Sequence, residues 1–382
     1  MKDVVLKLAA EVEQEVIAHR RHLHTYPEVS FKEVETSKYI QKVLGEYGVD
    51  YTTINNSVIG RIKGEKPGKT IAFRADIDAL PIQEENDAPY RSKNAGIMHA
   101  CGHDAHTAAL LGLARIFSEN PQLIEGEVVF VFQHAEELLP GGAITLVEKG
   151  LMNDIDTIFG FHVWPDIKTG VIGYSRGALM ACTDRFHISL RGQGGHGSTP
   201  HRTRDSLLAG TALVQQLQSV ISRNVSPQIS AVLSVCYFNA GSAFNIIPEN
   251  CELGGTIRTT DEETRGLIKQ RMKDICEGIA ASHGLEVDIS YEMGYPVLMN
   301  DAETVDKAVE GILQLTDHKA EVVAPVMGGE DFAYFTQKKP GAYFFVGCKD
   351  KEAALHTPLF DIDEKAIKVG IEVFLAAYTS QL

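Results

Sequence analysis

The chain has 382 residues, of which 44% are hydrophobic and 23% charged, and its formal net charge is −15. This length exceeds one core of ordinary size, so two domains are expected, and the composition is that of an ordinary globular protein. The acidic balance, without any Lys/Arg block, excludes a nucleic-acid partner, and no apolar stretch reaches the roughly 18 to 20 residues of a membrane span. Six cysteines are too few for a disulfide framework, and residues 1–15 are charged rather than signal-like, so a cytoplasmic location is expected.

The first part of the chain alternates helix and strand patterns. The predicted elements are helices over 3–20, 33–47 and 105–117 and strands over 70–76, 127–133 and 154–162. This alternation predicts an α/β layer with helices on both faces of a sheet. Asp76, His134 and His162 would then lie at the carboxyl ends of strands, where such sheets bind ligands.

The middle of the chain has a different pattern, of the order β-α-β-β-α-β. The predicted elements are strands over 185–191, 230–238, 251–259 and 285–291 and helices over 204–223 and 262–283. That order is typical of ferredoxin-like domains. After Pro296 the chain returns to α/β material, with a helix near 302–315, a strand over 342–346 and a helix over 363–380. We therefore predict a small α+β domain, residues 179–291, inserted into an α/β domain formed by 1–178 and 292–382.

One short segment, His99-Ala-Cys101-Gly-His103-Asp104-Ala-His106, combines a thiol with three imidazoles. Sulfur and imidazole nitrogen this close together are typical of a transition-metal site. A closed zinc site would need a second Cys/His pair, which the chain lacks, so further ligands should be scattered as in catalytic sites. The alternative is a buried cysteine beside a helix-capping histidine. His99 and His106 are expected to lie behind the ligands rather than bind metal.

A second acidic segment, Gln133-His-Ala-Glu136-Glu137, ends a very apolar strand. Neighbouring acids on a turn point in different directions, so one can bind a metal while the other acts as general base. The alternative is a solvated acidic turn. His162, beside the only Trp, and His356, in a turn before the last helix, are further candidate ligands. Their alternatives are a core histidine and a surface histidine.

Three further segments bear on the site. Asp76 and Asp78 share one face at a strand end and could orient histidines. Gly328 and Gly329 begin a segment, residues 328–332, that is expected to open a helix whose free N–H groups would suit a substrate carboxylate, and a plain loop with acidic N-cap residues is the alternative. The loop over 192–197 fits G-x-G-x-x-G formally, but Pro200 blocks a following helix, so dinucleotide binding is rejected.

Together these segments resemble the metal-dependent aminoacylase and carboxypeptidase family. The match is to the branch with N-acyl-amino-acid amidohydrolases, hippurate hydrolases, N-acetyl-diaminopimelate deacetylases and indole-acetyl-amino-acid hydrolases. It extends from His22-Leu-His24-Thr-Tyr-Pro-Glu28 to His356-Thr-Pro358, and His-Ala-Cys-Gly-His-Asp at 99–104 is the signature of the branch. The resemblance implies a di-metal exopeptidase-like catalytic α/β domain with an inserted ferredoxin-like lid that dimerises. His134 departs from the pattern, since the branch usually has Pro there.

The resemblance also implies site roles. It implies that Cys101 bridges two metals, that His103 and His162 bind one of them, and that Glu137 and His356 bind the other. It implies Glu136 as the general base and His196 as the residue that stabilises the oxyanion. Asn245 and Arg258 would bind the substrate. The cofactors would be two divalent ions per subunit, Mn²⁺ or Zn²⁺, with Co²⁺ or Ni²⁺ as further options. Gly328 and Gly329 join Arg258 as candidate carboxylate-binding groups.

We therefore expect a metal-dependent amidohydrolase, acting as a homodimer on small N-acyl-L-amino acids. Dipeptide or carboxypeptidase-type cleavage and N-acetyl-diaminopimelate deacetylation are alternatives within the same chemistry. A cysteine hydrolase with Cys101 as nucleophile is a rival mechanism. A catalytically inactive amino-acid-binding protein is the rival from another class.

Overall fold

The computed structural model describes residues 1–349 and 354–382. These residues divide into two compact units. The large unit contains Met1–Leu179, Met299–Ala324 and Asp331–Leu382, and the small unit contains Met180–Leu298 and Pro325–Glu330. None of the helices in the described residues is long and apolar enough to cross a membrane.

The described residues contain nine α-helices and sixteen strands. The helices are α1 Lys2–Thr25, α2 Val34–Glu46, α3 His103–Glu119, α4 Gly142–Glu148, α5 Ser206–Asn224, α6 Glu262–His283, α7 Ala302–Leu315, α8 Ala333–Thr336 and α9 Lys365–Thr379. The strands are β1 Asp50–Ile54, β2 Ser57–Lys63, β3 Lys66–Asp76, β4 Glu125–Gln133, β5 Thr157–Trp164, β6 Val171–Tyr174, β7 Ala178–Met180, β8 Asp184–Arg191, β9 Gly195–His196, β10 Ala231–Ala240, β11 Ile246–Ile247, β12 Asn250–Thr259, β13 Glu286–Glu292, β14 Leu298–Met299, β15 Lys319–Val322 and β16 Gly341–Gly347.

The large unit is built on an eight-stranded sheet with the order β1-β2-β4-β3-β5-β16-β6-β15. Strands β4, β3, β5 and β16 run parallel to one another, and Asp76 at the end of β3 is in register with Gln133 at the end of β4. The carboxyl ends of β3, β4 and β5 therefore meet at one edge of the sheet. This is the edge at which open α/β sheets bind ligands.

Helix α3 follows this edge and passes through the core of the large unit. Every residue from His103 to Ala114 is buried, which suits a run rich in Ala and Leu without a polar face. Helices α1 and α9 pack against α3, and Phe374 of α9 contacts Phe73 and Phe161 of the sheet. The first turn of α3 is therefore anchored by packing on several sides.

The small unit has the element order β8-α5-β10-β12-α6-β13. Its four main strands form an antiparallel sheet with the order β10-β12-β8-β13. Alternate residues of β8, namely Phe186, Ile188 and Leu190, are buried in a core shared with α5 and α6. Both helices begin at an aspartate whose carboxylate accepts a backbone N–H, Asp205 from Leu208 and Asp261 from Thr264. The predicted ferredoxin-like pattern is confirmed.

The structure contains elements that were not predicted, among them helix α4 and the strands β6, β7, β9, β11, β14 and β15. The hairpin β1–β2 was not predicted, because β1 has the sequence Asp-Tyr-Thr-Thr-Ile and is exposed along most of its length. The helix expected to open over residues 328–332 starts later, since α8 begins only at Ala333 and has four residues, and Gly328 and Gly329 lie in a loop, which was the alternative. Asp331 does not cap this helix; its carboxylate instead accepts hydrogen bonds from Gln133 and from the backbone of Ala143.

Candidate active site

The Cys-His segment lies in the turn that starts helix α3. Gly102 precedes the helix with a φ of 86°, in the left-handed region that favours glycine. A Cβ atom on Gly102 would also lie 2.2 Å from Cγ2 of Val163. The backbone of Gly102 therefore passes directly against β5, and this close approach brings Cys101 next to His162.

Four candidate ligands meet around the Cys101 sulfur. The Sγ atom lies 3.2 Å from Nε2 of His162 and 3.3 Å from Nε2 of His356. Nε2 of His356 is in turn 3.2 Å from Oε1 of Glu137. These residues come from the α3 turn, from β5, from the end of β4 and from the loop before α9. Ligands so far apart in sequence were expected of a catalytic site.

His103 is oriented by a carboxylate behind it. Its Nδ1 lies 2.9 Å from the backbone oxygen of Asp78 and 3.2 Å from Oδ1 of the same residue. Within the described residues Nε2 is buried without a hydrogen-bond partner, and it lies 3.9 Å from Oε1 of Glu137, which is also buried and accepts no hydrogen bond there. An imidazole held at one nitrogen by a carboxylate and open at the other is the usual arrangement of a metal-binding histidine.

The turn after β4 separates Glu136 from Glu137. Ala135 has a φ of 53°, and its N–H donates to Oε1 of buried Glu33 at 2.8 Å. The N–H of Glu137 donates to Oδ2 of Asp78 at 3.0 Å. Both sides of the turn are thus fixed by carboxylates, and donor atoms of Glu136, Glu137 and His103 lie within 4.8 Å of one another.

The other two histidines of the segment lie behind the ligands. His106 uses both ring nitrogens, Nδ1 with Oδ1 of Asp76 at 2.6 Å and Nε2 as acceptor from the N–H of Val163 at 2.9 Å. His99 is buried with neither ring nitrogen hydrogen-bonded within the described residues. Burial lowers the pKa of His99 to about 4, so its imidazole is neutral.

The electrostatics of the cluster depend on burial and on the surrounding acids. Burial, and after it Glu137 and Glu136, raise the pKa of the Cys101 thiol well above its ordinary value. Burial and the neighbouring His106 lower the pKa of His162, which is therefore a neutral imidazole. Burial would also lower the pKa of His103, but Asp76 and Asp78 outweigh it and raise that pKa to about 10. Several carboxylates thus surround the candidate ligands, and their negative charge favours the binding of cations.

Two overlapping sets of donor atoms fit metal ions. Sulfur and nitrogen of Cys101, His103 and His162 form one set, and Cys101, Glu137 and His356 form the other; within each set the atoms lie within 4.8 Å of one another. Cys101 belongs to both. The mixed donors of sulfur, imidazole and carboxylate suit borderline divalent ions such as Zn²⁺.

The remaining predicted site residues lie in the small unit. His196 is exposed on β9, opposite Ile246 of β11, and its Nδ1 is 2.8 Å from Oγ of Ser198. Asn245 is exposed beside it, and its backbone oxygen accepts the N–H of Gly197 at 2.8 Å. Arg258 lies half-buried on β12, where its guanidinium contacts Thr256 and the backbone oxygen of Ile257 at 2.9 Å.

Gly328 and Gly329 lie in an extended segment of the small unit. The backbone oxygen of Gly328 accepts the N–H of Ala181 at 2.9 Å, and a Cβ on Gly329 would lie 2.1 Å from Cγ2 of Thr183. These contacts give each glycine a packing role. A role in carboxylate binding stays a prediction for both.

Several charged residues that support the site were not predicted. Arg74 is buried within β3, where its guanidinium contacts Asp76 at 2.7 Å and Asp331 at 2.8 Å. Glu33 holds the Ala135 turn, and Arg20 contacts Asp104 at 2.8 Å. Arg74 could have been identified from the sequence, because a charged residue inside the apolar run Ile71-Ala-Phe-Arg-Ala75 is unusual. Glu33 and Arg20 could not be identified in this way. Helices α1 and α2 each have a polar face, so a charged residue in or beside them does not stand out.

Comparison with known proteins agrees with this architecture. The family model of peptidase family M20/M25/M40 matches residues 72–380. N-acyl-L-amino acid amidohydrolase of Geobacillus stearothermophilus is 46% identical over 302 residues, 78% of this chain and 81% of that protein. N-acetyl-L-cysteine deacetylase of Bacillus subtilis is 43% identical over 362 residues, 93% of this chain and 85% of that protein.

One solved structure combines the same fold with a metal centre. It is that of the Bacillus subtilis YXEP protein, named a dinuclear metal binding peptidase from the M20 family. It is 36% identical, superposes with a TM-score of 0.87, and the match covers 97% of this chain and 98% of that one. The predicted fold class and resemblance are thereby confirmed, and the chain belongs to peptidase family M20/M25/M40.

Proposed function

We propose that the protein is a metal-dependent amidohydrolase that cleaves the amide bond of N-acyl-L-amino acids, releasing a carboxylate and a free amino acid. The observation that carries the proposal is the convergence of Cys101, His103, Glu137, His162 and His356 at the carboxyl edge of the sheet. The names of the relatives, an N-acyl-L-amino acid amidohydrolase and an N-acetyl-L-cysteine deacetylase, support the substrate class.

Two divalent ions fit the donor groups of this site. Within the part of the chain that the structure describes, Nε2 of His103 and Oε1 of Glu137 are buried without a hydrogen-bond partner, a costly state that a cation relieves. Cys101 would bridge the ions, with His103 and His162 on one and Glu137 and His356 on the other. We propose Mn²⁺ or Zn²⁺, with Co²⁺ or Ni²⁺ as substitutes. Such ions supply Lewis acidity, which polarises a carbonyl and makes water more acidic.

The residues around the ions carry the proton transfers. Glu136 accepts the proton of the attacking water and later delivers it to the leaving amine. Glu136 suits this role because it is only 7% exposed and its carboxylate lies near that of Glu137. It is not one of the five proposed ligands. Asp78 holds His103 in its orientation, so that this ligand needs no reorganisation during the reaction. Asp76 holds His106, which lies behind the ligands.

Residues of the small unit would act on the substrate. We assign His196 to the oxyanion, where an imidazole N–H stabilises developing negative charge. Asn245, Arg258, Gly328 and Gly329 are proposed to bind the substrate, with the Arg258 guanidinium on its α-carboxylate. We further propose that residues 179–291 form an inserted lid domain through which a cytoplasmic homodimer assembles.

The rival cysteine mechanism fits the electrostatics poorly. A nucleophilic cysteine needs a thiolate, and enzymes obtain it by lowering the thiol pKa with a cation or an imidazolium. Here burial and two glutamates raise the pKa of Cys101, and the adjacent His162 is neutral. A pair of divalent ions would reverse this balance and hold the sulfur as thiolate.

The deciding experiment is a hydrolysis screen of metal-stripped and metal-replete protein. Protein treated with EDTA is assayed with and without added Mn²⁺ or Zn²⁺ on N-acyl amino acids of varied acyl chain, on N-acetyl-diaminopimelate and on dipeptides, scored by kcat/KM. We expect no turnover after stripping, recovery with metal, and preference for N-acyl amino acids. Full activity after stripping would favour the thiol mechanism, and preference for dipeptides would make the protein a peptidase. No hydrolysis across the panel would leave an inactive binding protein.

A further inference from the structure

Arg20, on helix α1, is one of the largest fully buried side chains of the protein, at 1% exposure. Its guanidinium forms hydrogen bonds with two segments that are far apart in sequence. Nε donates to Oδ2 of Asp104 at 2.8 Å, and Nη2 donates to Oδ1 of Asp361 at 2.8 Å. Nη1 contacts Oε1 of Glu364 at 3.3 Å, and the guanidinium stacks 4.6 Å from the centre of the Tyr90 ring.

Both aspartates that contact Arg20 are next to proposed metal ligands. Asp104 directly follows His103 in the first turn of α3, and Asp361 lies five residues after His356. Each segment carries a proposed ligand near Oε1 of Glu137, His103 at 3.9 Å and His356 at 3.2 Å. Arg20 therefore connects, through charged hydrogen bonds, the part of the chain that holds one ion to the part that holds the other.

His356 depends on such a connection more than the other ligands do. It lies on a loop, its side chain is 52% exposed, and its φ is 60°, in the left-handed region. Such a backbone persists only where the surroundings fix it. The N–H of His356 donates to the backbone oxygen of Ala100 at 2.8 Å, which ties the start of the segment to the Cys101 turn.

The far end of the His356 segment is fixed by the loop that includes residues 84–90. The backbone oxygen of Pro358 accepts the N–H of Glu85 at 2.9 Å. The backbone oxygen of Phe360 accepts from Nδ2 of Asn86 at 2.8 Å, and Oδ2 of Asp361 accepts from the Tyr90 hydroxyl at 2.9 Å. This loop is joined to Asp104 through His24, whose ring nitrogens lie 2.8 Å from Asp104 and 3.1 Å from Glu84.

We propose that Arg20 is a positioning residue that holds His356 in place for the second ion, through its joint contact with Asp104 and Asp361. The inference rests on the proposed two-ion function. An arginine is needed because its planar fork can engage two carboxylates at once, whereas a lysine presents a single ammonium that reaches only one of them. Loss of the fork frees the His356 segment while leaving Cys101, His103 and His162 on their own elements.

The test is calorimetric titration of Mn²⁺ or Zn²⁺ into metal-stripped wild type and Arg20→Lys. Wild type should bind two ions per chain. In Arg20→Lys one of the two should bind about 10- to 100-fold more weakly, the range typical for loss of a supporting contact, and the other should stay within about threefold. Activity of the variant should return as the metal concentration is raised, with KM for substrate little changed.

The control is a similar ion pair of the small unit, Arg265 with Asp184, which is also buried and contacts no proposed ligand. Arg265→Lys should leave both metal affinities unchanged, although it removes a pair of the same kind. If Arg20→Lys does not fold, Tyr90→Phe removes the hydroxyl that donates to Asp361 and should weaken binding of the same ion by at least about threefold.

Two outcomes would overturn the proposal in distinguishable ways. If wild type binds two ions and the folded Arg20 or Tyr90 variant binds both with wild-type affinity, the positioning role is wrong and the proposed function stands. If wild type itself binds fewer than two ions, the proposed function fails first and the inference fails with it.

Discussion

At the scale of single residues, the two adjacent glutamates of the β4 turn show how one backbone bend separates two roles. Ala135 adopts a φ of 53°, which L-residues with a side chain rarely do, and Glu33 and Asp78 fix the turn through backbone N–H groups. The bend leaves Glu137 near His103 and His356, and Glu136 beside it in a buried position.

This separation makes the role of Glu136 testable. Glu136→Gln keeps the size and hydrogen-bonding capacity of the side chain but removes its basicity, so kcat should fall by at least about 10²-fold. Metal content, measured by elemental analysis of the purified variant, should stay near that of wild type, because Glu136 is not a proposed ligand. Near-normal turnover would exclude Glu136 as the base, and loss of metal would make it a ligand instead.

The residue scale is also where sequence reasoning was strongest. The Cys-His segment and the paired glutamates predicted a metal site because those donor types are rarely clustered by packing alone, and the structure brings them together. From the residues alone His356 was a candidate ligand with a surface histidine as the alternative, and only the family resemblance implied its place on a metal. Supporting residues such as Glu33 were missed, because their partners are backbone groups 102 positions away.

At the scale of elements, the start of helix α3 depends on a glycine for two separate reasons. Gly102 has a positive φ, and its Cα faces Val163 too closely for a side chain. Gly102→Ala should therefore lower the free energy of unfolding of the metal-free protein by about 2–5 kcal/mol, the sum of a left-handed alanine and an overpacked contact. Urea unfolding measures this loss.

Gly96 provides a matched control for that substitution. It has a φ of 75°, similar to that of Gly102, but a Cβ there would meet no atom within 4 Å. Gly96→Ala should cost only the backbone strain, about 1–2 kcal/mol. Equal losses for the two variants would show that the contact with Val163 is unimportant.

Helices α1 and α2 meet through a partly buried histidine, and this contact predicts a pH dependence. Nδ1 and Nε2 of His19 lie 2.7 Å and 2.8 Å from the hydroxyls of Tyr39 and Tyr47. Burial, and after it the nearby His22, lower the pKa of His19 to about 4 from an ordinary 6.5. The unfolded chain therefore binds more protons between those values, and the free energy of unfolding falls as pH falls from 6.5 to 4.

The size of that fall can be isolated with His19→Gln, which keeps polar contacts to the tyrosines but does not titrate. Wild type should lose up to about 3 kcal/mol more than the variant between pH 6.5 and 4, measured by urea unfolding at each pH. Acidic groups elsewhere titrate in both proteins and cancel in the difference. Parallel losses would mean that His19 titrates normally in the folded protein.

At the scale of the whole molecule, the two units differ in how much of their structure the sequence could specify. The small unit repeats a known order of elements with clear amphipathic strands and helices, so the order of its six main elements could be predicted, whereas the short strands β9 and β11 could not. In the large unit the long helices and the strands β3, β4, β5 and β16 were predicted, but helix α4 and the strands β6 and β15 were not, and the order β4-β3-β5 depends on long-range pairing. Exposed strands such as β1 have no apolar alternation to predict them.

All five proposed metal ligands belong to the large unit, and they join four segments of the chain: residues 101–103, the turn at 137, β5 at 162 and the loop at 356. Ions that bind these segments only when folded should stabilise that unit by mass action. At a free concentration of about 100 times the dissociation constant, the gain is about 2.7 kcal/mol per ion. The small unit has its own core and no proposed ligand, so its stability should not respond.

Scanning calorimetry of stripped and metal-replete protein therefore tests the assignment at the level of the molecule. For a unit of this size, each kcal/mol of added stability raises the Tm by about 2–4 °C. One ion at a free concentration of about 100 times its dissociation constant should therefore raise the Tm of the large unit by about 5–10 °C. The same titration on His162→Ala should give a smaller rise, because one ion loses a ligand. An equal rise in wild type and variant would place the stabilising metal elsewhere, and no rise in either would contradict a metal site that links these segments.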